Sequence, residues 1–205
     1  MTTFEAHWRH VWEGRDAEEV SWFEPSPDRS HELIRAATTD PDAPIIDVGG
    51  GASRLVDVLL ADGYRDLTVL DIAEESMAQA RERLGAAATS VSWIGADVLR
   101  WTPPRRYLVW HDRAVLHFLV DAEARVRYAE QLRQALAPGG HAAITTFAPD
   151  GPTQCSGLPV HRFGVENLAS LFGPTFTVVR HGHDTHRTPG GDEQRLVHVL
   201  LRHDT

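Results

Sequence analysis

Two short segments constrain this chain more than any others: Ile45-Ile46-Asp47-Val48-Gly49-Gly50-Gly51-Ala52-Ser53 and, soon after, Leu67-Thr68-Val69-Leu70-Asp71. They read as a buried strand, a glycine turn that opens a helix, and a second strand that ends in an acid. Glycine lets backbone come close to a ligand, and the start of a helix offers unpaired N–H groups. The Asp71 carboxylate can accept hydrogen bonds from two ribose hydroxyls. The pattern points to a site for a nucleoside cofactor.

Position 54 narrows the choice. A dinucleotide fingerprint has a third small residue three positions after its second glycine, so that the helix packs closely beneath a pyrophosphate. Arg54 stands there. A cofactor without a pyrophosphate fits better than the nicotinamide cofactor of a Rossmann oxidoreductase.

In the order of its motifs the chain resembles the class I S-adenosylmethionine (SAM) dependent methyltransferases, from about residue 5 to the C-terminus. The family's acid-x-glycine-x-glycine turn is matched by Asp47, Gly49 and Gly51, with Gly50 where many members carry cysteine. The acid that closes the second strand and holds the ribose is matched by Asp71, with Ile72 beside it. The acid that contacts the adenine amino group is matched by Asp97 in Ile94-Gly95-Ala96-Asp97-Val98, and the turn before the fifth strand by Leu136-Ala137-Pro138-Gly139-Gly140. Where many members carry an aromatic residue followed by Asp ahead of the fourth strand, this chain has Tyr107-Leu108, so no role for that acid carries over. The resemblance implies SAM as cofactor. It also implies an α/β fold with a Rossmann-like, doubly wound, mostly parallel seven-stranded sheet in the order 3-2-1-4-5-7-6, closed by an antiparallel C-terminal hairpin.

Composition bounds the rest. At 205 residues and 42% hydrophobic, the chain is long enough for one core and short for two, so one domain over residues 1–205 is expected. The formal charge of −9, from 29 acids against 20 lysines and arginines, offers no basic stripe and repels a phosphate backbone, which argues against nucleic acid as a partner. The opening Met1-Thr2-Thr3-Phe4-Glu5-Ala6-His7 lacks the basic start and apolar core of a signal peptide, and no apolar run reaches the roughly 18 residues that span a bilayer. A cytoplasmic protein without a membrane partner is expected. Cys155 is the single cysteine, which excludes an internal disulfide and a multi-cysteine metal site.

Hydrophobic periodicity places the elements. Residues 1–40 form a helical cap segment, aromatic at Trp8, Trp12, Trp22 and Phe23, with a helix start at Ser26 (N-cap) and Pro27 (N1). Helices are predicted after the glycine turn, over Ala73 to Leu84, over Asp121 to Ala137 and over Val165 to Phe172. Strands three to five are predicted over Val91 to Ile94, Tyr107 to Trp110 and His141 to Phe147. The last two, Phe176 to Arg180 and Arg195 to Leu201, must be antiparallel because no helix separates them. Residues 148–163 read as a substrate loop.

In an open α/β sheet the reacting groups lie beyond the carboxyl ends of the strands, so residues after the fourth strand are the first catalytic candidates. These are His111, Asp112 and Arg113, of which the acid or the histidine could deprotonate a nucleophile and the arginine could fix a carboxylate. They could equally be an ion pair that caps the next helix. His117 follows in an apolar run, as a substrate contact or a core histidine. His161 and Arg162 could close over a substrate from the 148–163 loop, or only tie that loop down. Trp12 and its aromatic neighbours could cover the cofactor, where an indole near a sulfonium adds about 0.5–2 kcal/mol of cation–π attraction. His181, His183 and His186 read as a solvated histidine-rich loop, and no metal is expected.

The reading is a methyltransferase that passes a methyl group from SAM, by in-line displacement, to an S, N or O nucleophile of a small molecule. A protein lysine methyltransferase is an alternative. It rests on Asp112, Arg113 and Ala114 standing where such enzymes carry acid, base and glycine. A non-catalytic SAM-binding partner subunit is another.

Overall fold

A computed structural model describes residues 3–204. The run Ile45–Val48 forms β1, with all four residues buried. It shows no polar alternation because both of its faces are covered, as in a central parallel strand. β2 (Leu67–Asp71) and β3 (Val91–Gly95) lie on one side of β1, and β4 (Tyr107–Arg113) and β5 (Leu136–Phe147) on the other, all parallel. The strand order therefore reverses at β1 and β4, and the crevice beyond their carboxyl ends is where such a sheet holds ligands.

A short ribbon, β6 (Gln154–Cys155) with β7 (Leu158–Pro159), interrupts the 148–163 loop and turns through Ser156 and Gly157, both at positive φ. The hairpin β8 (Phe176–Arg187) and β9 (Glu193–His203) then completes the sheet in the order β3-β2-β1-β4-β5-β9-β8, with β9 antiparallel to both neighbours. This is the expected topology; the last two numerals differ because the ribbon adds two short strands.

The helices cover the sheet on both faces. α2 (Asp28–Ala37), α3 (Leu55–Ala61) and α4 (Glu74–Leu84) send Ile34, Leu55, Leu59 and Met77 onto Ile45, Val69 and Val109. α5 (Ala122–Ala135) and α6 (Val165–Phe172) send Tyr128, Leu132, Leu168 and Phe172 onto Trp110, Ile144 and Val199. Each such side chain, taken out of water, contributes about 1.5–3 kcal/mol. A third, small cluster sits at the ligand end: Trp12 of α1 (Thr3–Trp12) and Val20 pack on Ala52 and Ala73, next to the glycine turn and Asp71. Among the described residues no helix is long and apolar enough to cross a membrane.

Several boundaries differ from the expectation. The α2 helix starts at Asp28, so Pro27 rather than Ser26 is its N-cap, and the Ser26 hydroxyl donates to Asp28 instead of accepting from an orphan backbone N–H. α5 stops at Ala135 because Leu136 is drawn into pairing with Tyr107, ahead of an irregularity in the β4–β5 register. β4 runs on through His111, Asp112 and Arg113, since β1 and β5 both continue beside it. His181, His183 and His186 lie on β8 and not in a loop; β8 is an edge strand, where charged and polar side chains discourage pairing with another chain.

Candidate active site

The glycine turn is shaped so that side chains are forbidden. Gly49 has φ +70°, and a Cβ there would lie 2.1 Å from Val115 Cγ2. A Cβ on Gly50 would meet Asp47 Oδ2 at 2.5 Å, and one on Gly51, at φ +39°, would meet Asp71 Oδ2 at 2.7 Å. The turn is held from behind by Arg83 of α4. Its guanidinium donates to the carbonyls of Ala52 (3.0 Å) and Ser53 (2.7 Å) and forks onto Asp57 at 2.9 and 2.7 Å. A bare backbone cradle beside an acid suits a ligand that makes close backbone contact and carries hydroxyl donors.

Asp71 closes β2 and lines the same cavity. Its Oδ1 accepts the Ala73 N–H at 2.8 Å. Burial, with the charge of Asp47 adding to it, pushes its carboxyl up to about 7. Asp97 lies past β3 with Oδ1 accepting the Leu99 N–H at 2.9 Å, and Arg100 stands 3.9 Å from its Oδ2. Ile72, Val98 and Trp12 are apolar walls of the cavity. Asp47, Gly49, Gly50, Gly51, Asp71, Ile72, Asp97, Val98 and Trp12 are thus brought together around one space.

The far end of that space is aromatic. Trp8, Trp22, Phe118 and Phe147 line it, with Trp8 edge-on to Phe118 at 4.9 Å and to Trp22 at 5.9 Å. His117 stacks on Phe147 with ring centroids 4.4 Å apart and planes 6° apart. It is wholly buried, and among the described residues neither ring nitrogen has a hydrogen-bond partner. Burial, with the charge of Arg113, pushes its imidazole down to about 3. Thr145 Oγ1 and His111 Nε2 are likewise buried and, among the described residues, unpartnered, and both residues line the cavity.

The sheet register sets Asp47 directly opposite His111, and the His111 Nδ1–H donates to Asp47 Oδ1 at 2.7 Å. This leaves Nε2 with a bare lone pair. Arg113 donates to the Trp22 carbonyl at 3.0 Å and pairs with Glu24 at 2.8 Å, clasping the cap segment to the end of β4. His186 Nε2–H donates to the Ser21 carbonyl at 2.8 Å and reinforces that clasp.

Three of the candidates lie elsewhere. Asp112 points to the opposite face of β4, where Tyr128 donates its hydroxyl to the acid and the N–H groups of Val115 (2.9 Å) and Leu116 (3.2 Å) do the same. It thus holds the entry to the short 3-10 turn Leu116–Phe118 and is absent from the cavity wall. Alternation explains the split, because in a strand His111 and Arg113 share the face that Asp112 does not. His161 packs edge-on against Phe163, and exposed Arg162 reaches only the Gly151 carbonyl at 3.4 Å; neither lines the cavity. From residues 148–163 it is Cys155 that reaches the wall, with its thiol pushed up by burial.

Sequence patterns missed Arg83, Glu24, Thr145 and the Asp47–His111 pair. Of these only the pair had a readable signal, a polar residue at the matching position of two neighbouring apolar strands.

Residues 45–140 match a family model described as a methyltransferase domain. A search of curated protein sequences finds no match. Among solved structures, the chain is similar to the N-methyltransferase NodS of Bradyrhizobium japonicum bound to S-adenosyl-L-homocysteine, at 19% identity and TM-score 0.74 over 96% of this chain and 98% of that one. It is similar to the 1,6-didemethyltoxoflavin-N1-methyltransferase of Burkholderia thailandensis, at 23% identity and TM-score 0.71 over 98% and 89%. A SAM-dependent methyltransferase of Anabaena variabilis gives 16% identity and TM-score 0.76 over 99% and 96%. At these identities the likeness speaks to the fold, which is shared nearly end to end. Residues 45–140 thus match a methyltransferase domain, and the sheet around them has the Rossmann-like strand order of these solved structures.

Proposed function

We propose that this chain transfers a methyl group from SAM to a sulfur, nitrogen or oxygen of a small molecule. The observation that carries this reading is the glycine turn whose Cβ positions are blocked, set against the Asp71 carboxylate in the crevice where the strand order reverses. Gly49, Gly50 and Gly51 would take the cofactor by backbone contact, Asp71 its ribose and Asp97 its adenine amino group, between Ile72, Val98 and Trp12. Bound there, SAM would supply a methyl activated on its sulfonium, which would leave with S-adenosylhomocysteine as the other product while the acceptor gives its lone pair to the methyl and loses a proton.

The protein's part is to hold the acceptor in line, an effect that supplies about 7–11 kcal/mol of a barrier. His111 is the group suited to take the proton. Its Nε2 is bare and on the wall, and Asp47 on the other nitrogen fixes the tautomer and stabilises the imidazolium. Arg113 holds the cap segment closed over the site and does not reach for a carboxylate. Asp112 has no part in proton transfer, since its oxygens are committed on the other face.

Selectivity would come from the N-terminal segment within residues 1–40 and from the 148–163 loop. The aromatic roof over the cavity favours a small molecule over a lysine carried on a folded protein. Calorimetric titration with SAM and with S-adenosylhomocysteine tests the cofactor: dissociation constants on the micromolar scale, about −8 kcal/mol, are expected, and absence of binding to both overturns the reading. Formation of S-adenosylhomocysteine from SAM with a panel of thiols, amines and phenols separates an enzyme from a silent binder. With an accepted substrate, His111→Ala should lower kcat by about 10²–10⁴-fold and leave cofactor affinity unchanged.

A further inference from the structure

Two features of the acceptor end have no role in holding a cofactor: its charges are all paired, and its buried imidazole is not. The acid and the cation on that wall, Glu24 and Arg113, are bound to each other at 2.8 Å, and Arg113 also holds the Trp22 carbonyl. A carboxylate or phosphate ligand would have to pull Arg113 away from Glu24, leaving a largely buried acid with His186, 3.7 Å away, in place of its cation. An ammonium ligand would find the Glu24 carboxylate already taken by Arg113 and would lose its hydration for the aromatic faces alone.

His117 faces the opposite condition. At about 3 its pKa leaves the ring uncharged across the working range of a protein, with one N–H donor and one bare nitrogen. Phe147 covers it face to face and Phe118 stands against it at 4.3 Å and 66°. Hydrogen bonding is thus left to its edge. Buried donors and acceptors are nearly always satisfied, so a group left bare on a cavity wall is open to what enters the cavity, water or ligand. The walls are aromatic rings set edge-on to one another, the arrangement into which a further flat ring packs.

We infer that the acceptor end takes an uncharged, planar ring compound that hydrogen-bonds His117 through an N–H or O–H on its rim. This rests on the cavity being a methyl-acceptor site, as proposed above. His117 is then the residue that selects the ring, while His111 serves the proton.

The test is calorimetry on protein saturated with S-adenosylhomocysteine, at neutral pH, with two matched series. One is 2-naphthol, 2-naphthoate and 2-naphthylmethylammonium; the other is p-cresol, 4-methylbenzoate and 4-methylbenzylammonium. In at least one series the uncharged member should bind about tenfold or more tighter than either ion, and His117→Phe should remove about tenfold of that affinity while leaving S-adenosylhomocysteine binding unchanged. Nitrogen NMR of the wild-type imidazole, which does not depend on the variant folding, should find His117 neutral from about pH 5 to pH 8, with one ring nitrogen shifted when the preferred phenol is added. An ion that binds as well as its uncharged counterpart in both series, or ring nitrogens unmoved by bound phenol, overturns the inference. If S-adenosylhomocysteine itself does not bind, the proposed function falls; if it binds and neither series prefers its uncharged member, only the inference about the ring does.

Discussion

Asp71 stands between stability and binding. Its carboxyl titrates at about 7 in the folded protein against an ordinary 3.8, because burial and the charge of Asp47 oppose ionisation. Between those values the folded chain holds a proton that the unfolded chain has lost, so stability is greater at the acid side of this window and falls as pH rises through it. Hydroxyl donors from a ribose favour the charged form, so cofactor affinity should move the other way. Titration with S-adenosylhomocysteine should show binding about tenfold tighter at pH 8 than near pH 5.5, with heats that depend on the buffer because a proton is released. Asp71→Asn should flatten both trends: the free protein melts higher at pH 8, and cofactor affinity drops by about tenfold or more. Ala114 carries a different tension. It follows β4 at φ +74°, a left-handed conformation that costs a side-chain-bearing residue about 1–2 kcal/mol. Ala114→Gly loses about 0.5–1 kcal/mol to the freer unfolded chain, so urea unfolding should find a net gain of about 0.5–1 kcal/mol.

At the scale of elements, α4 does more than cover the sheet. Through Arg83 it fixes two carbonyls of the glycine turn and the first turn of α3, so three segments share one guanidinium. Arg83→Met keeps the packing stem and leaves those acceptors unmet; urea unfolding should find a loss of about 2–3 kcal/mol, with weaker binding of S-adenosylhomocysteine. Such clamps mark the limit of what the chain reveals as a string. That the glycine turn, Asp71 and Asp97 share one cavity was legible because each group follows its own strand end, and the strand order comes with the motif order. β4 was ended too early, at Trp110, because His111, Asp112 and Arg113 break an apolar run, yet flanking strands on both sides keep the pairing going. Which of those three faces the cavity depends on alternation from a starting point that only the β1–β4 register supplies. His161 and Arg162 looked like substrate contacts by charge alone, whereas the ribbon β6–β7 turns Cys155 inward and leaves them outside. Arg54, read first as a mismatch to a dinucleotide site, binds Glu18 at 2.8 Å and lies 5.7 Å over Phe23, so it ties the turn to the cap.

Across the whole molecule, the cap is held by different forces from the body. Apart from its aromatic cluster it is fastened by pairs such as Arg9–Glu75 and Arg54–Glu18, largely solvent-exposed and worth about 0–1 kcal/mol each, and by the partly buried clasp of Arg113 and His186. Hydrogen exchange should therefore be faster over residues 3–24 than in β1 and β4, slow further when S-adenosylhomocysteine binds, and quicken in the cap alone in Arg113→Met. The Ser21–His186 link spans 165 residues. Much shorter loops tie the same segment to the glycine turn and α4, through Arg54–Glu18 and through Trp12 on Ala52 and Ala73. A nascent chain is thus able to lay part of the cap over its glycine turn early, while the long closure onto His186 waits for the final hairpin. The order of assembly fastens the roof at one edge first and at the other edge last.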